Sequence, residues 1–280
     1  MRGTRLWLAI ALIASLFATA IVTGCGDDED EPATDEPGTV DTDLGLASEG
    51  ELLVGSDIPY IPFEFGDPPA YEGFDIDLIN EVADRLGLEA RIADTPFDAI
   101  LQGGNGRFDL AIAATTIDAE REKAVDFSDP YFLSQQSLLV PADGDIQSLE
   151  DITADTVVGG QDATTGERFA NDETDADVRG FPEIDDAYGA VASGQVDAVI
   201  NDLFSTQAAV EENPDLEVAE VFQTGELYGI VLPEESDALR EAVNGALAEI
   251  KEDGTLEELY QEYFGEEAPA EVLDATNEPT

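Results

Sequence analysis

The 280-residue chain sets 65 acidic residues against 11 basic ones and no histidine, a formal charge of −54, and 43% of it is hydrophobic. That apolar share is enough for one large or two medium folded domains. The charge excludes nucleic acid as a partner, because nothing here could neutralise a run of phosphates.

At the start, the basic Met1 to Arg5 precede an apolar run from Leu6 to Val22 and then Thr23-Gly24-Cys25. This is the pattern of a secretory signal peptide. The only cysteine of the chain follows small residues directly, where the bacterial lipoprotein box puts the residue that is lipidated. Residues 1–25 are therefore read as a lipoprotein signal peptide, with Cys25 as the lipidation site. No later segment approaches the ~20 apolar residues needed to span a bilayer. Residues 26–47, rich in acids, Thr, Pro and Gly, bury too little apolar area to fold and are expected to form a disordered acidic tether.

From Glu51 strand and helix patterns alternate. Leu52 to Gly55 reads as a strand, and Asp75 as the cap of a helix carrying Ile76, Ile79, Val82, Ala83 and Leu86 on one face. Leu88, Ala90 and Ile92 alternate as a strand, a short glycine-broken helix follows Phe97, and Phe108 to Ala113 reads as a buried parallel strand. A second series has strands at Ser137 to Val140, Thr156 to Gly159, Val178 to Phe181 and Val196 to Ile200. Its helices are Thr165 to Asn171, Asp185 to Ser193 and Phe204 to Glu212. Strands Val218 to Phe222 and Tyr228 to Leu232 lead to a helix from Ser236. The last helix opens at Thr255-Leu-Glu-Glu258, which has the form of a capping box.

The most informative segment is Asp109 to Phe132, where Arg121 stands just past a strand end and Thr116 and Asp118 can cap the short helix that follows. Open α/β sheets bind ligands at such strand ends. Free helix N–H groups and a guanidinium there suit a small carboxylate. In so acidic a chain any single Asp or Glu says little, and each arginine says more.

Six blocks together resemble the family 3 bacterial extracellular solute-binding proteins, the receptors of polar amino acid ABC importers. They are Tyr60-Ile-Pro-Phe-Glu-Phe65, Gly73-Phe-Asp-Ile-Asp-Leu78, Arg121 with Asp126-Phe-Ser-Asp-Pro-Tyr131, Val196-Asp-Ala-Val-Ile-Asn-Asp202, Tyr228-Gly-Ile230, and Asp253-Gly-Thr-Leu256 through Tyr263-Phe-Gly265. The likeness spans Glu51 to Gly265. It implies an α/β, two-lobe, type II periplasmic-binding-protein-like fold with two crossovers and the ligand in the cleft. Lobe 1 would be residues 48–131 plus 229–267 and lobe 2 residues 136–224, with hinges near 131–135 and 223–228. Residues 268–280 would be a disordered tail.

The resemblance also implies a site. Arg121 matches the arginine that grips the ligand α-carboxylate, and Asp202 the lobe 2 carboxylate that binds the ammonium. Thr116 and Ala114 match positions that hold the head group, and Thr164 and Thr165 the loop that donates backbone N–H groups. Tyr60 and Phe97 match the aromatic pair against the ligand side chain, and Asp57 a polar position at its distal end. No cofactor or metal is implied. The implied partners are an amino acid, a permease and an ATPase, and the implied place is outside the cytoplasm on a lipid anchor.

Three features depart from the family pattern: a short, glycine-rich stretch at Gly103, Gly104 and Gly106, Asp118-Ala119 in place of a frequent Thr-Pro, and Asp162-Ala163 in place of a common Lys-Gly or Ser-Gly. Asp57 and Asp162 hint at a cationic ligand side chain. The competing readings are a dehydratase-like enzyme on the same fold and an input module for a separate sensor. A chain with no histidine and its one cysteine in the lipoprotein box has few groups for acid–base or nucleophilic chemistry.

The acid excess resembles adaptation to high salt, where screening relieves self-repulsion. The melting temperature is expected to climb from dilute buffer to molar salt; a flat response would contradict this reading.

Overall fold

A computed structural model describes residues 43–277. The signal peptide, Cys25 and most of the acidic tether lie outside the described residues.

The first βαβ series opens with β1 (Glu51–Ser56), followed by a small hairpin of β2 (Phe65–Asp67) and β3 (Ala70–Glu72), then α1 (Phe74–Arg85), β4 (Glu89–Asp94), α2 (Phe97–Ile100), β5 (Leu110–Ala111) and β6 (Val125–Phe127). Strand β1 pairs in parallel with β4 and β5. The chain then passes into β7 (Phe132–Pro141), β8 (Val157–Gln161), α3 (Thr165–Glu173), β9 (Asp177–Phe181), α4 (Ile184–Ala192), β10 (Ala198–Asp202), α5 (Leu203–Glu212) and β11 (Leu216–Tyr228). It returns through β12 (Val231–Pro233) and ends in α6 (Asp237–Glu252), α7 (Thr255–Tyr263) and α8 (Ala270–Leu273).

Two five-stranded sheets result, in the orders β4-β1-β5-β12-β6 and β11-β7-β10-β8-β9. This is a two-lobe, type II α/β fold crossed twice by the chain. Both crossings lie side by side, because β7 and β11 run antiparallel through them with Phe132 opposite Tyr228 and Ser134 opposite Glu226. The register slips between Phe222 and Glu226. Gly225 takes φ +66° there, a left-handed conformation that glycine adopts without steric cost. The second crossing is thus one long twisted strand, Leu216–Tyr228, where the sequence shows only the short run Val218 to Phe222.

The core of the first lobe is aromatic at its base. Phe63, Phe74, Tyr131, Phe132 and Tyr228 are fully buried, and Phe132 stacks on Tyr228 and Tyr260 at 5.3 and 5.2 Å between ring centres. The apolar stripe of α1 packs on α6 and α7, and Ile79 and Val82 are fully buried.

Several local expectations need correction. Asp75 does not cap α1: the helix begins at Phe74 after Gly73, and the Asp75 carboxylate turns inward to accept from the Ala114 N–H and the Tyr131 hydroxyl, each at 2.8 Å. No capping box forms on α7, because Thr255 donates its hydroxyl to Asp253 instead. The strand expected over residues 108–113 is a ladder of only two residues. Its Asp109 accepts from Ala47 and Leu53, at 2.9 and 2.8 Å. The first of these bonds, with Leu44 and Leu46 packed against the core, docks residues 44–47 on the domain instead of leaving them in a tether. The C-terminal tail is likewise anchored: Ala268 and Val272 are buried, α8 forms, and the Asn277 N–H donates to Asp129. Two apolar residues among many acids carry too little periodicity to show in the sequence.

The glycine-rich stretch is a tight left-handed turn in which Gly103, Gly104 and Gly106 have φ of +68°, +63° and +79°. A Cβ on Gly104 would come within 2.3 Å of the Phe108 ring. The short helix before it, α2, does form.

Candidate functional site

All nine residues singled out as site candidates line one narrow cleft between the sheets. Asp57 and Tyr60 follow β1, Phe97 opens α2, and Ala114, Thr116 and Arg121 follow β5. From the other lobe, Thr164 and Thr165 open α3 and Asp202 ends β10. Three more residues share the cleft that the sequence did not single out: Glu64, Ala113 and Gln161. Gln161 ends β8, and the strand-end rule applied to the second sheet could have found it. Asp162 turns away instead, its carboxylate lying against Gly180.

Arg121 is 8% exposed. Its Nη1 donates to the Thr116 carbonyl at 2.8 Å and its Nη2 crosses the cleft to the Ala163 carbonyl at 3.2 Å. Nε faces Asp118 at 3.6 Å, and the guanidinium sits 5.3 Å from the centre of the Phe97 ring. Asp118 also accepts from the N–H groups of Glu120 and Arg121, capping the 3₁₀ turn that carries the arginine. Thr116 does not cap; its hydroxyl donates to Glu226 at 2.8 Å. Burial lowers the Arg121 pKa while Asp118 opposes the shift. A guanidinium stays charged regardless, and with five N–H donors it keeps some beyond those two carbonyls.

The backbone around Arg121 is strained on both sides. Ala114 has φ +43° and Ala163 φ +66°, each a left-handed conformation costing a non-glycine residue roughly 1–2 kcal/mol. The turn at Ala163 is held by Glu167, which accepts from the Ala163 N–H at 2.9 Å, and by the Thr164 hydroxyl, which caps α3 by accepting from Glu167 N–H.

Asp202 lies opposite. It accepts from the Tyr60 hydroxyl at 2.6 Å, across the cleft, and from Gln136, whose amide also reaches the Thr165 hydroxyl. Asn201 donates to the same Tyr60 oxygen at 3.0 Å. Tyr60 is therefore both an aromatic wall and a hydrogen-bond link between lobes. At the third corner Gln161 donates to Asp57 at 2.7 Å, again across the cleft.

Behind Asp57 sits Glu64, fully buried, with neither oxygen reached by a donor among the described residues. Burial first, then the neighbouring Asp75 and Asp57, push its pKa well above the usual carboxylate range.

With this geometry in view, comparison with known proteins is decisive. The model of the bacterial extracellular solute-binding proteins, family 3, matches residues 52–266. The chain belongs to that family. It is 31% identical over 272 residues to the ABC transporter glutamine-binding protein of Bacillus subtilis, covering 94% of this chain and 98% of that one. Among solved structures, an ancestral arginine-binding protein bound to arginine is 37% identical with a TM-score of 0.73, over 77% of this chain and 99% of that one. The arginine-, lysine-, histidine-binding protein ArtJ of Geobacillus stearothermophilus is 30% identical with a TM-score of 0.74, over 80% of this chain and 99% of that one. The protein is thus an extracellular binding protein rather than an enzyme. No helix among the described residues is long and apolar enough to cross a membrane.

Burial pushes both Asp57 and Asp202 up to about 7. For Asp202 the charge of Glu226 adds to the rise, while the Tyr60 hydroxyl and Arg121 oppose it. Each carboxyl keeps its proton in the folded protein between about pH 4 and 7, where the unfolded chain has released it. The stability this contributes is present below about pH 4 and is lost as pH rises through 7. Asp202→Asn should therefore gain on the wild type with rising pH, by on the order of 1–4 kcal/mol at pH 8. Denaturant titrations at pH 4.5 and pH 8 read the change; an equal gap at both would contradict the burial argument.

Proposed function

We propose that this protein captures an α-amino acid with a cationic side chain outside the cytoplasm and presents it, by closure of the two lobes, to the permease and ATPase of an ABC importer. The observation that carries the reading is a single cleft with a buried guanidinium on one lobe and a buried carboxylate on the other. An α-amino acid is the smallest common solute carrying both complementary charges. In this reading Arg121 forms a bidentate pair with the α-carboxylate, helped by Thr116 and by the backbone N–H groups of Thr164 and Thr165. Asp202 takes the ammonium together with the Ala114 carbonyl. Buried carboxylate is costly without a cation, and the ammonium supplies one.

Tyr60 and Phe97 would flank the aliphatic stem of the side chain. Its far end meets Asp57, with Glu64 behind. Asp57 has one amide donor and two neighbouring acids, Glu183 and Asp94, which raise its pKa further. Such a corner favours a guanidinium or ammonium over a neutral amide. Similarity to proteins that bind arginine supports this choice, and similarity to a glutamine-binding protein marks the nearest rival ligand. Since the zwitterion meets both charges only when the cleft is shut, binding favours the closed form. The lipoprotein box at Cys25 supports tethering of the protein to the cell membrane.

Calorimetry against the common amino acids tests the reading. Arginine or lysine should bind most tightly, and Arg121→Ala or Asp202→Asn should each weaken binding by roughly 30-fold or more, the usual cost of leaving a buried charge unpaired. Asp57→Asn should keep binding but lose the preference for cationic over amide side chains. Binding of none of them by the wild type would contradict the function, and an unchanged preference in Asp57→Asn would contradict the ligand class.

A further inference from the structure

We infer that Arg168, a residue outside the cleft lining, is a positioning residue that ties the second lobe to the turn carrying Arg121 and so lengthens ligand residence. This rests on the lobe-closure reading above. Arg168 lies in the first turns of α3, and its Nη2 donates to Asp118 Oδ2 at 3.0 Å, 50 residues away on the other lobe. The same Oδ2 faces Arg121 Nε at 3.6 Å. One carboxylate oxygen therefore couples the cleft arginine to a second arginine from the opposite lobe.

Helical neighbours do not explain this choice. Asp172 stands four residues further on along α3, the spacing at which an Arg–Asp pair forms on a helix surface, and Glu167 is adjacent. The guanidinium makes its ion pair with neither, and reaches across the groove between the lobes to Asp118. Glu167 is otherwise engaged, holding the Ala163 N–H. The Ala163 carbonyl in turn accepts from Arg121 Nη2. The segment 163–168 thus grips the arginine turn at two points, one on Arg121 itself and one through Asp118.

Asp118 is 18% exposed and Arg168 47% in their side chains, so the pair is partly shielded from solvent. Arg168 is one of only two basic residues between 136 and 224, the other being Arg179. Arg179 bonds the Gln195 carbonyl within its own lobe and serves as a control. Since a contact made only with the lobes together slows their separation, the expected effect falls on dissociation more than on association.

The test is stopped-flow dissociation of L-arginine from wild type, Arg168→Ala, Arg168→Lys, Asp118→Asn and the Arg168→Ala/Asp118→Asn double variant, in low salt and in molar salt. Arg168→Ala should dissociate roughly three-fold faster at low salt, as for a half-exposed ion pair. The difference should shrink in molar salt, where such pairs are screened. Arg168→Lys should recover part of the loss, and the double variant should be less than additive. Arg179→Ala should match the wild type. Equal rates for Arg168→Ala and wild type at low salt, or strict additivity with Asp118→Asn, would overturn the inference while leaving the binding reading intact. A wild type that binds no amino acid would overturn both.

Discussion

A single guanidinium, buried in a chain with 65 acids and 11 bases, is the constraint on which the rest of the structure turns. Arg121 cannot shed its charge, so its surroundings must supply acceptors without neutralising it fully. They do so with two carbonyls, one from each lobe, and a carboxylate at 3.6 Å that is shared with another arginine. Left-handed alanines stand at 114 and 163. The backbone bends against its preference on both sides of the cleft around Arg121, and at Ala163 the bent residue's own carbonyl receives the guanidinium.

The acids of the cleft face the opposite problem. Asp57, Glu64, Asp75 and Asp202 are all removed from water, with hydroxyls and amides beside three of them in place of full ion pairs and none beside Glu64 among the described residues. A protein with so many exposed acids has no shortage of charge on its surface; what sets these four apart from the exposed acids is the absence of solvent. Burial pushes the pKa of each above the usual carboxylate range. Asp57 and Asp202, both at the cleft wall with a value of about 7, are the two that the proposed function sets against a cation.

Much of this was legible in the sequence. Alternating apolar patterns placed the parallel strands and their helices, because period-2 and period-3.6 burial survive even in an acidic chain. The nine candidate residues fall on one cleft because the motif blocks sit at strand ends, where the fold delivers them together. The missing parts share a physical reason: they depend on contacts between distant segments. The inward turn of Asp75, the hydroxyl of Tyr60 on Asp202, and the bond from Gln161 to Asp57 each need a partner that no local spacing reveals. Strand β11 runs on past the expected Val218 to Phe222 because its last residues cross between the lobes, paired to β7 and not marked by an apolar run. The C-terminal segment was hidden by composition, since Val272 and Ala268 anchor it with only two apolar side chains.

Chemical dissection of the ligand tests most directly the claim that opposite charges from the two lobes clasp the two ends of one zwitterion. Titration of the protein with arginine, with the same molecule lacking only its α-carboxylate, and with the same molecule lacking only its α-ammonium compares the two ends in one experiment. The account expects each truncated molecule to bind at least ten-fold more weakly than arginine, the loss of the carboxylate being felt through Arg121 and of the ammonium through Asp202. A truncated molecule that binds as tightly as arginine would show that one of the two charges plays no part in holding it.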